Sequence, residues 1–303
     1  TRDITLSAHN LDHGQDIAKD LRKLPGLRVF AVSDPNFLVH LGGKISLQSR
    51  IPVKNHRDLA QVYTPGVGRI SSYIAENKEA VWSLTSKANT VAVVSDGTAV
   101  LGLGDIGPEA ALPVMEGKAI LFKELAGVDA WPICLDTKDP DEITETVKHL
   151  AVGFGGINLE DISAPRCFYI EERLKEELDI PVFHDDQHGT AIITAAAILN
   201  GLKVAKKDLS AVRLVASGAG AAGIACLDML VEMGLKRENI LVSDSKGIIY
   251  EGRTEGMDDR KLRYAAKTPI RTLAEAVVGA DIFLGVSRAG MMSKDMVKQM
   301  ADS

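Results

Sequence analysis

The sequence has few of the features that mark secreted, membrane-spanning or nucleic-acid-binding proteins. Its three cysteines, Cys134, Cys167 and Cys226, are isolated, which argues against a disulfide framework or zinc knuckle and favours the reducing cytoplasm. The longest conspicuous uncharged run, residues 189–202, is shorter than the roughly 18 apolar residues of a membrane span. With 35 basic and 41 acidic residues the net charge is −6, so no basic surface for nucleic acid is expected.

The chain also has no initiator methionine, and no basic-then-apolar leader precedes Thr1. Because its first residues already resemble a strand, we expect it to be a processed form or a fragment of a longer protein. It is long enough to fold: 303 residues, 46% of them hydrophobic, suffice for a buried core and predict about two domains.

The first 47 residues predict a small α+β unit. Strands are expected over residues 4–8, 28–33 and 36–40, and an amphipathic helix over 12–24. Pro25 and Gly26 would end this helix. The polar stretch 48–57 predicts a linker to the remainder of the chain.

From about residue 90 the sequence alternates between short apolar runs and helical patterns. Strands are predicted over 90–95, 131–135, 156–159, 181–183, 212–216, 240–243 and 281–286. Helices are predicted over 113–126, 140–150, 167–178, 190–202, 221–233 and 272–278. Short apolar strands separated by such helices favour an α/β fold with doubly wound parallel sheets, covered by helices on both faces.

A glycine-rich turn after the strand predicted over 212–216 has the pattern of a dinucleotide-binding site. The turn consists of Gly218, Ala219, Gly220, Ala221, Ala222 and Gly223. Gly218 and Gly220 would allow a tight turn and close approach to a pyrophosphate, and Gly223 would let the next helix pack near the strand. Glycine-rich turns are also common without a ligand, so the strand, the helix and the acidic residue that follows are needed to support this interpretation.

That acidic residue is Asp244, which ends the next predicted strand and could bind the ribose hydroxyls of adenosine. A carboxylate here favours NAD, because it repels the 2′-phosphate of NADP. Ser245 and Lys246 stand beside it and could neutralise and bind that phosphate. NAD is therefore the predicted coenzyme, with NADP as the alternative.

Two acidic pairs follow two other predicted strands: Glu160 with Asp161, and Asp185 with Asp186. The carboxyl ends of parallel strands face one crevice, so these four carboxylates could converge. Clustered carboxylates repel one another unless a cation lies among them, and hard oxygen ligands suit Mg²⁺ or Mn²⁺. The alternative is that each pair is an ordinary solvated loop or helix cap.

Several other polar residues permit a functional and an ordinary interpretation. His184 and His188 flank the second acidic pair, but histidines at strand ends are more often packed or hydrogen-bonded than ligating, so zinc is set aside. Lys118 falls near the predicted apolar face of helix 113–126, where burial would lower its pKa and suit it to act as a base; it could equally extend to solvent. Tyr63 precedes a Pro-Gly turn that could present it to a cleft, although most tyrosines are core or interface residues.

Taken in order, the motifs resemble the malic enzyme family. They are YTPGVG at 63–68, SDGTAVLGLGDIGP at 95–108, LPVMEGKAILFK at 112–123, LED at 159–161, FHDDQHGTA at 183–191 and SGAGAAG at 217–223. The likeness covers about residues 50–303 with the spacing of the bacterial forms. The first 47 residues resemble, more weakly, the second half of an ACT regulatory domain, which would take a small-molecule effector.

The resemblance implies oxidative decarboxylation of L-malate to pyruvate and CO₂ by a cytoplasmic homodimer or higher homo-oligomer, with NAD(P)⁺ and Mg²⁺ or Mn²⁺. It divides the chain into three parts: a partial ACT-like segment at 1–47, a substrate- and metal-binding α/β domain at 48–188, and a C-terminally incomplete Rossmann-type NAD(P) domain at 189–303. Neither a nucleic acid nor a membrane is an expected partner.

The family's functional residues carry over as follows: Lys118 as general base, Tyr63 as general acid, Asp185 as the carboxylate assisting the lysine, and Glu160, Asp161 and Asp186 as metal ligands. The lysine would take the C2 hydroxyl proton of malate while hydride passes to the nicotinamide. After loss of CO₂, the tyrosine would protonate C3 of the enolate.

Two departures from the family pattern stand out. Eukaryotic members carry a malate-binding arginine after the Asp-Gly at 96–97, where this chain has Thr98 and Ala99, so carboxylate recognition must come from elsewhere. The family's later asparagine motifs would lie beyond Ser303. Two alternatives remain: malolactic decarboxylation to lactate on the same scaffold, and a catalytically inert regulatory module. Retention of the full set of site residues argues against the inert module.

Overall fold

A computed structural model of the chain describes residues 4–302 and divides the molecule into two units, Thr1–Ser46 and Leu47–Ser303. The first unit contains two helices, α1 (Leu11–Lys23) and α2 (Pro35–His40). The helix predicted over 12–24 is thus confirmed. Its start is fixed by Asn10, whose side chain accepts a hydrogen bond from the backbone N–H of His13.

The three strands predicted in this unit are wrong. The stretch 36–40 is helical because Asp34 caps the N-terminus and Pro35 takes the first helical position. Residues 4–8 and 28–33 lack ladder pairing in the described structure, and apolar side chains such as Phe30 are largely exposed, at 71%. Without a partner strand or a buried face an apolar alternation does not form a strand, so the ACT-like assignment stays a prediction.

The second unit begins with three helices that the sequence reading missed: α3 (His56–Val62), α4 (Gly66–Glu76) and α5 (Val81–Leu84). Neither α3 nor α4 buries a single side chain within the chain. The predicted linker over 48–57 is free of helix and strand up to Asn55, which caps α3.

Next comes a four-stranded parallel sheet in the order β2-β1-β3-β4. Its strands are β1 (Thr90–Ser95), β2 (Asp129–Cys134), β3 (Gly156–Leu159) and β4 (Val182–His184). Its helices are α6 (Pro108–Ala126), α7 (Pro140–Leu150), α8 (Arg166–Glu177) and α9 (Asp185–Ala205). The register pairs Leu159 with His184, so the acidic residues that follow these two strands emerge side by side.

A second sheet has the order β7-β6-β5-β8. Its strands are β5 (Leu214–Ser217), β6 (Ile240–Asp244), β7 (Gly247–Ile248) and β8 (Ile282–Gly285), of which only the two-residue β7 is antiparallel. The remaining helices are α10 (Ala221–Glu232), α11 (Asp259–Leu262), α12 (Leu273–Ala276) and α13 (Lys294–Val297). All seven predicted strands beyond residue 90 are present within two residues of their predicted ends, which confirms the α/β fold.

Two helices begin earlier than predicted. α6 starts at Pro108, not Pro113. Proline is favoured at the first helical position, where its missing N–H would have no partner in the helix, and Pro108 takes that position. Pro113 lies inside the helix. Its buried residues are Ala111, Met115 and Ala119, so the predicted apolar face was misplaced. α9 starts at Asp185, and its body packs into the core of the second sheet, so the predicted domain boundary at 188/189 falls within one continuous helix. None of the helices in residues 4–302 has the length and apolarity that crossing a membrane requires.

Candidate active site

Three carboxylates converge at the edge of the first sheet. Ligand atoms of Glu160, Asp161 and Asp186 all lie within 4.8 Å of one another. The backbone N–H of Asp161 donates to Asp186 Oδ2 at 2.9 Å, which joins the loop after β3 to the first turn of α9. Three of the four carboxylates that were predicted to converge therefore do so, and Asp186 stands in the first turn of α9.

This cluster has the electrostatic character of a cation site. Burial raises the pKa of Glu160 to about 7, and burial together with the charge of Asp186 raises the pKa of Asp161 to about 7. Asp161 Oδ2 is buried and accepts no hydrogen bond from the described residues. Because all the donor atoms are carboxylate oxygens, the residues present fit Mg²⁺ or Mn²⁺.

Lys118 reaches the same cluster from the middle of α6. Its Nζ lies 2.7 Å from Asp185 Oδ2 and 3.2 Å from Glu160 Oε1. Burial by itself would lower the pKa of Lys118, but the hydrogen bond to Asp185 and the charge of Glu160 outweigh it, and the pKa is raised. The sequence-based expectation of a lowered pKa is wrong for this arrangement, in which Lys118 is a cation held between two carboxylates.

Tyr63 is not brought to the cluster. It is the C-terminal cap of α3, its side chain is 65% exposed, and no hydrogen bond joins its hydroxyl to the described part of the chain. This exposure does not fit a tyrosine of the core, and the functional role of Tyr63 stays a prediction.

The two histidines are not among the residues that form the metal-binding group. His184 is fully buried, with no hydrogen-bond partner for either ring nitrogen among residues 4–302, and its Nε2 lies 3.6 Å from Asp186 Oδ2. His188 Nε2 instead lies 2.7 Å from Oε1 of Glu171, a buried carboxylate on α8. Sequence reasoning missed Glu171; the available signal was its place on the helix face that also buries Cys167, Ile170 and Leu174.

An arginine does reach the Asp-Gly stretch after β1, although none follows it in sequence. Arg166, the first residue of α8, lies with Nη2 3.1 Å from Asp96 Oδ2 and 2.9 Å from Thr98 Oγ1. Asp96 is itself buried. This arginine therefore anchors the loop that follows β1, and the sequence analysis did not identify it.

The glycine-rich turn between β5 and α10 has the backbone that its motif predicts. Gly218 has φ 124°, and a Cβ there would lie 2.8 Å from the carbonyl oxygen of Val286. A Cβ on Gly223 would lie 2.1 Å from the carbonyl oxygen of Gly218, so the helix packs against the turn as expected. A Cβ on Gly220 would meet nothing within 4 Å, which leaves that side of the turn open to a ligand.

The turn opens onto a cavity of about 810 Å³. The cavity is bounded by the ends of β5 and β6, by residues near α11 and by the segment after β8; its walls include Ser217, Gly218, Gly220, Asp244, Ser245, Arg260, Lys261 and Arg288. The cavity lies at the carboxyl edge of the second sheet, where the sequence predicts a dinucleotide crevice.

Asp244 is neutralised inside this crevice by residues that the sequence analysis did not select. Arg253 Nη2 lies 2.8 and 2.7 Å from its two carboxylate oxygens, and Lys261 Nζ lies 3.2 Å from Oδ2. Burial opposes the charged form, but these hydrogen bonds hold the pKa of Asp244 below its usual range. Lys246 gives Asp244 only its backbone N–H, because its Nζ pairs with Glu255 at 2.5 Å. The role of Lys246 in binding a 2′-phosphate stays a prediction.

Comparison with known proteins assigns both sheets to one family. Residues 42–175 match the malic enzyme N-terminal domain, and residues 187–303 match the malic enzyme NAD-binding domain.

Two curated relatives and one solved structure agree with this match. The chain is 56% identical to the NAD-dependent malic enzyme of Geobacillus stearothermophilus, over 99% of this chain and 63% of that one. It is 56% identical to the bifunctional malic/malolactic enzyme of Bacillus subtilis, over 86% of this chain and 64% of that one. The crystal structure of the NAD-dependent malic enzyme of Thermotoga maritima superposes with a TM-score of 0.83 at 44% identity, over 89% of this chain and 73% of that one.

The chain thus spans just under two thirds of the length of the two curated relatives. Strands β1 to β3, Glu160 and Asp161 lie within the first match, and the second sheet with its glycine-rich turn lies within the second. Strand β4 and Asp186 lie between the two matches. The chain belongs to the malic enzyme family.

Proposed function

We propose that this chain catalyses the oxidative decarboxylation of L-malate to pyruvate and CO₂, with reduction of NAD(P)⁺ and with Mg²⁺ or Mn²⁺ as the divalent cation. The observation that carries the proposal is the position of Lys118, which lies within hydrogen-bond distance of both Asp185 and a member of the carboxylate cluster. A potential base and a potential cation site thus share one edge of the first sheet, as the chemistry requires.

To act as the base, Lys118 must first lose the proton that it holds between Asp185 and Glu160. It would then take the proton of the C2 hydroxyl while C2 is oxidised by hydride loss to NAD(P)⁺, giving oxaloacetate. Asp185 holds Nζ of the lysine in place through the 2.7 Å hydrogen bond. Glu160, Asp161 and Asp186 would hold the divalent cation, which supplies Lewis-acid stabilisation of the negative charge that develops on the C2 oxygen. The C3–C4 bond then breaks, CO₂ leaves, and the remaining enolate is protonated at C3.

We assign that last protonation to Tyr63, as the family resemblance implies. The assignment requires the exposed hydroxyl to come within about 3 Å of C3 when substrate is bound, because a general acid acts only within hydrogen-bond reach. We further propose a homo-oligomer, since α3 and α4, which flank Tyr63, expose apolar side chains and bury none. An effector of the ACT-like segment stays a prediction.

We propose NAD as the preferred coenzyme, with NADP accepted. Asp244 keeps carboxylate oxygens at the end of β6 for the ribose hydroxyls, which favours NAD. Arg253 and Lys261 reduce the repulsion that this carboxylate would exert on a 2′-phosphate. A cytoplasmic location fits the three cysteines, which are all free thiols.

Initial rates with L-malate, Mn²⁺ and either NAD⁺ or NADP⁺ test this proposal. We expect pyruvate and reduced coenzyme to form in equal amounts, and EDTA to abolish both. The absence of any metal-dependent malate turnover would contradict the proposal and favour the inert regulatory module.

A malolactic reaction is the second candidate, favoured by the 56% identity to a relative named for both activities. It would convert malate to lactate and CO₂ without net reduction of the coenzyme. Quantifying lactate and pyruvate in the same assay separates the two reactions.

A further inference from the structure

Glu171 on α8 is a buried carboxylate that belongs to neither the cation cluster nor the coenzyme crevice. Only 4% of the surface of Glu171 is exposed. Four donors surround its two oxygens: the backbone N–H of His184 at 3.2 Å, Gln187 Nε2 at 3.0 Å, His188 Nε2 at 2.7 Å and Lys175 Nζ at 2.8 Å. A carboxylate so deeply buried is costly unless its partners satisfy it, and here they do.

Three of these donors come from one short segment. His184 stands immediately before Asp185 and Asp186, and Gln187 and His188 stand immediately after them. Glu171 therefore holds the first turn of α9 on both sides of the acidic pair. His184 is also the N-terminal cap residue of α9, with no side-chain capping bond of its own, so Glu171 accepts one of the backbone N–H groups that a helix leaves unpaired there.

The same turn leaves little freedom for the acidic pair. A Cβ on Gly189 would lie 2.2 Å from Asp185 Oδ1, so the position of the Asp185 carboxylate depends on a glycine one turn later. Asp186 Oδ2 is fixed by the N–H of Asp161. A small rotation of the turn would displace both carboxylates from Lys118 and from the cation cluster.

We propose that Glu171 is a positioning residue: it fixes the first turn of α9 so that Asp186 faces the cation cluster and Asp185 faces Lys118. This inference rests on the proposed function, because it takes the cluster to be the metal site. Glu171 touches none of the three proposed ligand carboxylates and acts through the backbone and side chains next to them.

The permanent charge of Glu171 supports this role. Burial acts to raise the pKa of Glu171, but the hydrogen bonds from His188 and Lys175 outweigh it and bring the pKa to about 2. The carboxylate is therefore ionised at neutral pH and accepts from all of its donors. Neutral glutamine has the same size but one fewer oxygen acceptor, and its amide group would face donors.

Mn²⁺ binding to the full 303-residue chain tests the proposal without relying on turnover. We would compare the parent with Glu171→Gln and with Glu176→Gln, an exposed residue on the same helix, by following free Mn²⁺ in electron paramagnetic resonance titrations. We expect the Mn²⁺ dissociation constant to rise about 10-fold in Glu171→Gln, the lower end of the 10- to 100-fold range for residues that orient metal ligands, because Glu171 acts through the neighbours of Asp186. In Glu176→Gln it should change less than about 2-fold. Glu171→Asp, which keeps the charge, should recover part of the loss.

The outcomes separate this inference from the proposed function. If the parent binds no Mn²⁺, the metal site and the proposed function fail, and the role of Glu171 fails with them. If the parent binds Mn²⁺ and a folded Glu171→Gln binds it equally well, only the role of Glu171 is overturned; a purely structural residue would give this result, with a lower melting temperature in EDTA.

Should Glu171→Gln fail to fold, Gln187→Met decides the question. It removes one donor from Glu171 and leaves the carboxylate its other partners. We expect the Mn²⁺ dissociation constant to rise about 3-fold or more, in line with the loss of one hydrogen bond. An unchanged constant would overturn the proposal.

Discussion

The two parallel sheets end in carboxylates at comparable places, yet those carboxylates have opposite surroundings. Asp161 follows β3, and burial together with Asp186 raises its pKa to about 7. Asp244 ends β6. Burial acts to raise its pKa, but the hydrogen bonds from Arg253 and Lys261 outweigh burial and lower it. At the edge of the first sheet, carboxylates lie close together and would bind a metal cation. At the edge of the second sheet, the carboxylate of Asp244 is already paired with Arg253 and Lys261.

The difference shows that an acidic residue at a strand end does not by itself define a site. Its role depends on which charged groups the rest of the fold brings to it. At the first edge the nearest cation, Lys118, pairs with Asp185 and Glu160, and Asp161 Oδ2 keeps no hydrogen-bond partner among the described residues. At the second edge both carboxylate oxygens of Asp244 accept hydrogen bonds from cationic side chains, those of Arg253 and Lys261.

Replacing Lys118 at the acidic edge should have the largest effect. In Lys118→Met we expect kcat for malate to fall by about 10²- to 10⁴-fold, the usual contribution of a general base. The matched control is Lys123→Met, on the same helix but exposed and paired with Asp129; its kcat should stay within about 2-fold of the parent. Equal rates for the two variants would show that Lys118 is merely a counter-ion of the cluster.

Removing one proposed ligand tests whether the acidic edge needs an external cation. In Asp186→Asn we expect the Mn²⁺ dissociation constant to rise on the order of 100-fold. Replacing a residue that merely hydrogen-bonds to a metal ligand already weakens metal binding by about 10- to 100-fold, and replacing a ligand should cost at least as much. Asp179→Asn, an exposed residue before β4, serves as the control. Retained Mn²⁺ affinity in Asp186→Asn, measured by calorimetric titration, would remove the contrast between the two edges.

At the second edge, the built-in cations can be removed one at a time. In Lys261→Gln we expect NADP⁺ to bind about 10-fold more weakly, because a charged hydrogen bond is worth about 1.5–3 kcal/mol, while NAD⁺ affinity changes little. Fluorescence titration with both coenzymes provides the measurement, with the exposed Lys267→Gln as control. If NAD⁺ and NADP⁺ lose affinity equally, Lys261 acts on Asp244 and not on the 2′-phosphate.

Replacing Lys246, which the sequence indicates as a possible phosphate-binding residue, should have the smallest effect on coenzyme binding. Lys246 pairs with Glu255 at the surface, and such pairs contribute about 0–1 kcal/mol. In Lys246→Gln both coenzymes should therefore bind within about 3-fold of the parent, in the same titrations. A selective loss of NADP⁺ binding would restore Lys246 as the residue that determines coenzyme preference.

Much of the framework could be predicted because it depends on local patterns. Short apolar runs located all seven main strands, and the topology of a parallel sheet placed the residues after β3 and β4 together. The metal-site prediction followed from that placement, and Lys118 entered through the family resemblance.

Other parts could not be predicted because they depend on contacts distant in sequence. Arg253 and Lys261 reach Asp244 through the chain that follows β7, and nothing in their local sequence indicates this. Glu171 lies on a buried helix face, where an acidic residue is unexpected until its donors are known. In the N-terminal unit the opposite failure occurs: stretches with strand-like alternation find no pairing partner among the described residues.

The most direct test of the account is a crystal structure of the chain grown with Mn²⁺ and measured for anomalous scattering. We expect a strong anomalous peak bounded by the carboxylates of Glu160, Asp161 and Asp186, and none at Asp244. A peak elsewhere, or no peak in this cluster at saturating Mn²⁺, would contradict the claim that the acidic edge of the first sheet is the metal site.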